Sequence, residues 1–237
     1  MKLLEGKKSI ITGAARGIGR AIAEEFYHHG ADVIIADIDE EVGRQSTEEI
    51  LAAEPRDKGG NRVLFKKMDI TSPENVEKVF NEAVGELGPI DTLVNNAAII
   101  VTNDIKDFPV EDFRKVLTVN MMGTFICSKI AVNYMINESI RGSILNISAA
   151  SSRKADRGHA AYSASKAAIV EFARVLALEV GGHGIRVNSI LPGATETDML
   201  KDVFEKVEGI REDIINKTVL GKLGQPKDQA NAAVFLC

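Results

Sequence analysis

Short runs of β-branched and other apolar residues alternate along this chain with longer segments of helical period, a pattern that few folds accommodate. The runs are KSIIT at 8–12, DVIIAD at 32–37, VLFKKMD at 63–69, TLVN at 92–95, SILNIS at 143–148 and RVNSIL at 186–191. Between them, segments 17–29, 40–54, 73–87, 110–137 and 162–181 carry apolar residues at helical spacing, with no proline in their interiors. This alternation predicts parallel strands joined by crossover helices, and strands so uniformly apolar are expected to be covered on both faces. EPRDKGGNR at 54–62 reads as an exposed turn, no Ser/Gly/Pro-rich linker divides the chain, and no repeat of solenoid period is present. The expectation is one doubly wound α/β domain over residues 1–237, a parallel sheet flanked by helices.

A formal net charge of −5, from 29 basic and 34 acidic residues, argues against a nucleic-acid partner, which requires a basic surface to displace counterions from phosphate. Cys127 and Cys237 stand far apart, and neither lies in a Cys/His cluster of metal-ligand spacing. The first ten residues, MKLLEGKKSI, lack a signal-like apolar stretch, and no segment reaches about 18 uninterrupted apolar residues. These features predict a reduced, soluble, cytoplasmic protein with neither a membrane partner nor a metal.

Gly13, Gly17 and Gly19 lie in TGAARGIG, directly after the first strand and at the start of the first helix. Glycine permits a tight turn and lets the backbone approach a pyrophosphate, whose charge the helix N-terminus favours. Asp37 follows Gly19 by 18 residues, at the end of the second strand, where a carboxylate can accept hydrogen bonds from a ribose diol. A plain turn followed by a solvated Asp is the bland alternative; the two features in register favour a dinucleotide. Asp37 would repel a 2′-phosphate and favours NAD. Arg16, inside the turn, would attract one and favours NADP, unless it is a solvated residue or the ion partner of Asp37. NAD is the expected cofactor and NADP the alternative.

Tyr162 and Lys166 occur in YSASK at i, i+4 near a helix start, so both side chains project from one face. A tyrosine titrates near ~10, and a neighbouring ammonium together with an oxidised nicotinamide would lower that value and make the phenol a usable acid/base. The lysine could also hold the nicotinamide ribose. An amphipathic surface pair has the same spacing, so the pair alone does not decide.

Together, TGAARGIG, NNAA, Asn120, YSASK and PGATET resemble the short-chain dehydrogenase/reductase family over essentially the whole chain, in the family's order and spacing. The resemblance implies a Rossmann-type fold and an NAD(P)-dependent oxidoreductase working as a homo-oligomer, a dimer or tetramer. It makes Tyr162 the catalytic acid/base and Lys166 the group that lowers its pKa and binds ribose. Asn120, in VNMMGTF, would hold a water joining Lys166 to a proton relay. Thr12, Gly13, Arg16, Gly17, Ile18 and Gly19 would form the dinucleotide turn, Asp69 and Ile70 would meet the adenine, and Asn95 and Ala97 would lie beside the adenosine ribose. Pro192, Gly193, Thr195 and Thr197 would border the nicotinamide, with Thr197 at its carboxamide. Asp69 could instead cap the helix before TSPE, and Thr195 or Thr197 the helix that starts near Asp198.

Three positions depart from the family. Its catalytic serine stands about thirteen residues before the tyrosine, and here that place is Ala149. Ser148 is adjacent, but by strand alternation it should face away unless strand or loop shifts by one residue; Ser151 keeps the parity but lies in the loop. The third possibility is a true loss of the hydroxyl, which at about 3 to 4 kcal/mol for one donor would leave a slow enzyme. Ala98 replaces the glycine of NNAG and is expected to fit if its φ is negative. After KDQANAAVFLC the family's seventh strand is expected to be missing, leaving an unpaired sheet edge.

The substrate should lie over Tyr162, walled by residues 99–103, 149–159 and 196–208. Arg153, Lys154 and Arg157 could attract a carboxylate, a phosphate or an acidic carrier protein, or form a solvated basic loop. His159, three before Tyr162, is either a substrate contact or a polar residue preceding a helix. The expected reaction is hydride transfer between NAD(H) and a small secondary alcohol or ketone. An NADPH-dependent 3-oxoacyl carrier-protein reductase and a catalytically impaired dinucleotide-binding protein are the alternatives.

Overall fold

The computed structural model describes residues 2–53, 60–206 and 209–237. Among these residues β1 (Lys8–Thr12), β2 (Asp32–Asp37), β3 (Val63–Lys67), β4 (Thr92–Asn95), β5 (Ser143–Ile147) and β6 (Arg186–Ile190) form one parallel sheet in the order β3-β2-β1-β4-β5-β6. The connecting helices are α1 (Gly17–His28), α2 (Glu40–Ala53), α3 (Pro73–Leu87), α4 (Val110–Leu117), α5 (Gly123–Asn137) and α6 (Ala160–Val180). Then follow α7 (Asp198–Lys206), α8 (Ile210–Asn216) and α9 (Pro226–Leu236).

Strand periodicity divides the core between two layers. Ile10, Ile34, Leu93 and Ile144 pack with Phe80, Ala131 and Met135 of α3 and α5, while Ile11, Ile35, Val94 and Leu145 pack with Ile22, Phe26, Ala233 and Val234 of α1 and α9. Both faces are covered, which explains why the strand sequences hardly alternate with polar residues.

The differences from the predicted boundaries have local causes. β3 stops at Lys67 because the chain turns on Asp69, whose Oδ1 accepts from Thr71 N at 2.9 Å and Thr71 Oγ1 at 2.7 Å; α3 is then capped by Ser72, not Asp69. β5 stops at Ile147 because residues 150–152 enter a 3₁₀ turn. In place of one regular helix over 110–137, α4 and α5 are joined by a π turn at Thr118–Met122. By length and composition this 28-residue run could span a membrane, but 44% of its most apolar window is buried, and α5 packs on α3 and β4 as a core helix does. The seven-residue α8 follows Gly209 in the left-handed conformation and has no counterpart among the predicted elements. Of the turn predicted at 54–62, residues 54–59 lie outside the described residues. Asn61 and Arg62 tie its end to β2, Asn61 Nδ2 donating to Ala31 O at 2.9 Å and Arg62 N to Asp32 Oδ1 at 2.7 Å.

Candidate active site

The strand order reverses between β1 and β4, so the loops after these strands diverge and open a crevice at the carboxyl end of the sheet. The glycine turn packs against the β4 loop across it. Gly13 has φ 62°, and a Cβ there would lie 2.6 Å from Ala97 Cα; a Cβ at Gly19 would lie 2.4 Å from Asn96 Nδ2. No side chain fits at either position. The first turn of α1, which includes Ile18, has no side-chain cap and no acidic residue, leaving its N–H groups for an anion. Beside it, Arg16, Gly17, Arg20, Glu196, Thr197 and Pro226 line a cleft of about 320 Å³. A cleft of about 350 Å³ at the amino end of the sheet, among Lys2, Lys8, Asn61 and Arg62, contains none of the site residues.

Asp37 stands where its position in sequence places it, at the end of β2. Its Oδ2 accepts from Ala15 N in the glycine turn, and its Oδ1 accepts from Asp39 N, each at 3.0 Å. Arg16 is not its ion partner: the guanidinium pairs with Asp39, a residue that sequence reasoning passed over because nothing local links positions 23 apart.

Several expected cofactor contacts are instead committed to the scaffold. Thr12 Oγ1 donates to Val94 O at 3.3 Å and accepts from Asn96 N at 3.0 Å and Ala97 N at 3.1 Å, so it joins β1 to the β4 loop with no capacity left over. Asn95 Nδ2 donates to Ser128 Oγ of α5 and to Asn146 Oδ1 of β5, both at 2.9 Å. Thr195 Oγ1 donates to Gly193 O and accepts from Gln229 Nε2, which ties the loop after β6 to α9. Thr197 caps α7 through its carbonyl, which accepts from Leu200 N and Lys201 N, and its methyl faces Gly17. Ile70 is buried against Gly123 of α5, and Pro192 O accepts from Ala150 N at 2.8 Å. Ala98 has negative φ, so it fits as the glycine would.

Tyr162 and Lys166 lie one turn apart on α6. Lys166 is 3% exposed, and its Nζ donates to Ile147 O at 2.8 Å, with no carboxylate pairing it among the described residues. Burial pushes this ammonium down to about 8 and the Tyr162 phenol up to about 12. The expected lowering of Tyr162 by Lys166 is therefore not what this structure shows. The reason is geometric: Nζ sits 5.7 Å from the centre of the phenol ring and is turned to a strand carbonyl.

Asn120 occupies the π turn and is fully buried. Its Oδ1 accepts from Ile99 N at 2.8 Å, and its Nδ2 donates to Ile99 O and Ser165 Oγ, both at 3.0 Å. Its side chain thus clamps the loop after β4 to α6, and no direct bond to Lys166 is formed. π turns of this kind are frequent at functional sites.

Ser148 does not fill the missing serine position. β5 and β6 stay in register through Ile147 and Ile190, Ser148 N continues the ladder by donating to Ile190 O, and Ser148 Oγ donates to Lys166 O at 2.7 Å. Ala149 is extended, with φ −160° and ψ 157°. The 3₁₀ turn that follows breaks strand alternation, so parity no longer aims Ser151, whose Oγ is buried with no partner.

The predicted substrate walls are joined to one another. Arg157 makes a two-pronged ion pair with Asp104, Nε to Oδ1 at 3.0 Å and NH2 to Oδ2 at 2.6 Å, and Asn103 N donates to Gly158 O at 3.0 Å. Lys154 pairs with Asp156 at 3.6 Å. His159 packs edge-on against Tyr162, ring centres 6.2 Å apart, which places it in the site.

This geometry agrees with what the chain is similar to. The family model described as enoyl-(acyl carrier protein) reductase matches residues 13–237. A 2,5-dichloro-2,5-cyclohexadiene-1,4-diol dehydrogenase of Sphingobium indicum is 35% identical, over 100% of this chain and 91% of its own length. The 3-oxoacyl-[acyl-carrier-protein] reductase of Chlamydia muridarum is 34% identical, over 99% of this chain and 91% of its own. The crystal structure of a short-chain type dehydrogenase/reductase from Mycobacterium marinum superposes with a TM-score of 0.90 at 29% identity, covering 98% of this chain and 89% of that one. A glycine turn at the β1–β4 crevice, a Tyr-x-x-x-Lys helix beside it and full-length relatives with the same architecture place this oxidoreductase in the short-chain dehydrogenase/reductase family.

Proposed function

We propose that this chain transfers hydride between NAD(H) and a secondary alcohol or ketone, with Tyr162 as acid/base and a rate limited by the absence of a hydroxyl at Ala149. The observation that carries the reading is the buried Lys166 one turn beyond Tyr162, with no carboxylate partner among the described residues. A buried ammonium without a carboxylate partner is costly, and a fold that needed only packing there would be served better by Leu or Met. Such strained ionisable groups cluster where chemistry requires them.

The residues present fit a dinucleotide: the side-chain-free contacts at Gly13 and Gly19, the uncapped first turn of α1, and Asp37 at the ribose position. When bound, that group supplies hydride donation or acceptance. Tyr162 then gives its proton to the developing alkoxide in reduction, or takes one from the alcohol in oxidation. Lys166 keeps a positive charge near the ring, and Asn120 holds the wall at Ile99 against α6. The two named relatives, a diol dehydrogenase and a 3-oxoacyl reductase, support an alcohol or ketone as the class of substrate here.

The carrier-protein alternative has less support, because Arg157 and Lys154 are already paired with Asp104 and Asp156 rather than free for an acidic partner. NAD over NADP is supported by Asp37. Asp37→Ala is expected to weaken NAD about tenfold or more, the usual loss for hydrogen bonds to a charged group, while leaving NADP unchanged or tighter. Calorimetric titration with both dinucleotides is the check, and an unchanged ratio would exclude the ribose role.

A homo-oligomer is supported by exposed Met122 and Phe125 beside exposed Val175 and Leu178 of α6, where the Phe125 and Phe172 rings meet at 6.0 Å. Light scattering should give a multiple of the 25.6 kDa chain mass, and a monomer would remove this part of the reading.

A further inference from the structure

We propose that His159 binds a second hydroxyl of the substrate, on the carbon next to the one that reacts, so that the chain acts on vicinal diols and their α-hydroxy ketones. The inference rests on the hydride-transfer reading above and names a substrate class for it.

Buried polar atoms without a partner are uncommon in a folded chain, and each one calls for an occupant. Four of those among the described residues fall between 151 and 163, at the Tyr162 end of α6: Ser151 Oγ, Ser152 Oγ, His159 Nδ1 and Ser163 Oγ. At i, i+3, i+4 and i+7, His159, Tyr162, Ser163 and Lys166 share one face at the start of α6. The serine hydroxyls rotate freely and can be met by ordered water. The imidazole lacks that freedom. It packs edge-on against the Tyr162 ring, the planes at 73°, and its Nδ1 stays where that contact holds it.

The two residues before it are fixed as well. Arg157 is paired with Asp104, Gly158 O accepts from Asn103 N, and Gly158 has φ 79°, where a Cβ would lie 2.9 Å from Thr102 Cγ2. The helix start does not explain the choice of residue. His159 holds the position before α6 at which Ser, Thr, Asp or Asn would cap, and its side chain makes no capping bond. An imidazole nitrogen donates to or accepts from a hydroxyl according to its tautomer, whereas an apolar substrate group would leave Nδ1 unsatisfied. Because the two rings meet, a group held at Nδ1 lies close to the oxygen that reacts at Tyr162, and a hydroxyl on the neighbouring carbon meets that requirement. In oxidation the reacting carbon gives its hydride to NAD and its hydroxyl proton to Tyr162. The second hydroxyl is unchanged, and the product is an α-hydroxy ketone.

Steady-state oxidation of cyclohexanol and of cis- and trans-1,2-cyclohexanediol by the wild type, His159→Phe and His159→Gln reads the result. Phe keeps the ring packed on Tyr162 and removes the nitrogen; Gln keeps polar atoms at that place. The wild type is expected to favour one of the diols over cyclohexanol about tenfold or more in kcat/KM, the difference lying in KM because the second hydroxyl is held before and during the reaction alike. His159→Phe is expected to bring that ratio within about twofold of one while leaving cyclohexanol within about threefold of the wild type, and His159→Gln is expected to keep part of the preference.

A wild type that oxidises cyclohexanol as well as either diol, or a diol preference that survives in His159→Phe, would overturn the proposal while sparing the hydride-transfer reading. So would an equal loss for diols and cyclohexanol in His159→Phe, which would reduce His159 to a support for Tyr162. A wild type that oxidises none of the three with either dinucleotide would remove both.

Discussion

Replacing Tyr162 by phenylalanine is expected to lower kcat about 10²- to 10⁴-fold, the range of a lost general acid/base, while changing dinucleotide affinity less than about threefold. The ring itself, which lies 5.7 Å from Lys166 Nζ and packs edge-on against His159, is retained by Phe. The pH dependence gives a second readout. Oxidation of an alcohol needs the phenolate, and with Tyr162 pushed up to about 12 its fraction is small at neutral pH, so kcat/KM for oxidation should rise with pH. Reduction uses the protonated phenol and should be level through the same range. Steady-state kinetics of wild type and Tyr162→Phe in both directions test this, and unchanged turnover in the variant would remove Tyr162 from the mechanism.

The framework was readable because its signals are local. Apolar runs bounded by turns gave β1, β2 and β4 to the residue, and the helical period from Pro73 gave α3 its bounds, though its cap is Ser72 and not Asp69. The glycine turn, Asp37 and the Tyr162–Lys166 pair also emerged where their spacing put them. What was not readable depends on which way a side chain faces. In TLVN every residue is buried, so no alternation reveals that Asn95 bonds to Ser128 of α5 and Asn146 of β5. Thr12 looks like a cofactor contact until its hydroxyl is counted out against Val94, Asn96 and Ala97, a network that exists only once β1 lies beside β4. The π turn at Asn120 has no signature in a segment that is helical throughout. The Arg16–Asp39 pair and the Arg157–Asp104 clasp join separate loops, so spacing along the chain cannot announce them.

Ala149→Ser is expected to raise kcat about 10²-fold, the reverse of removing one donor from a developing oxyanion. The position is prepared for it. Ala149 is 9% exposed, in an extended conformation that serine adopts without strain, and it immediately follows Ser148, whose own hydroxyl is spent on Lys166 O. It stands thirteen residues before Tyr162, the position at which the resemblance to the family puts the hydroxyl that meets the substrate oxygen. Adding one oxygen there should leave the fold intact, so a change in rate would not be confused with a change in stability. Ser151→Ala is the companion variant. Its Oγ is buried and unbonded within the 3₁₀ turn, so its removal is expected to change kcat by less than about threefold. A loss of about 10²-fold or more in Ser151→Ala, with little gain in Ala149→Ser, would show that Ser151 already supplies the donor and that the site is complete as it stands. Measuring both variants with NAD and a panel of secondary alcohols that includes cyclic diols separates these outcomes, because a site that lacks only its donor accelerates when the donor is restored.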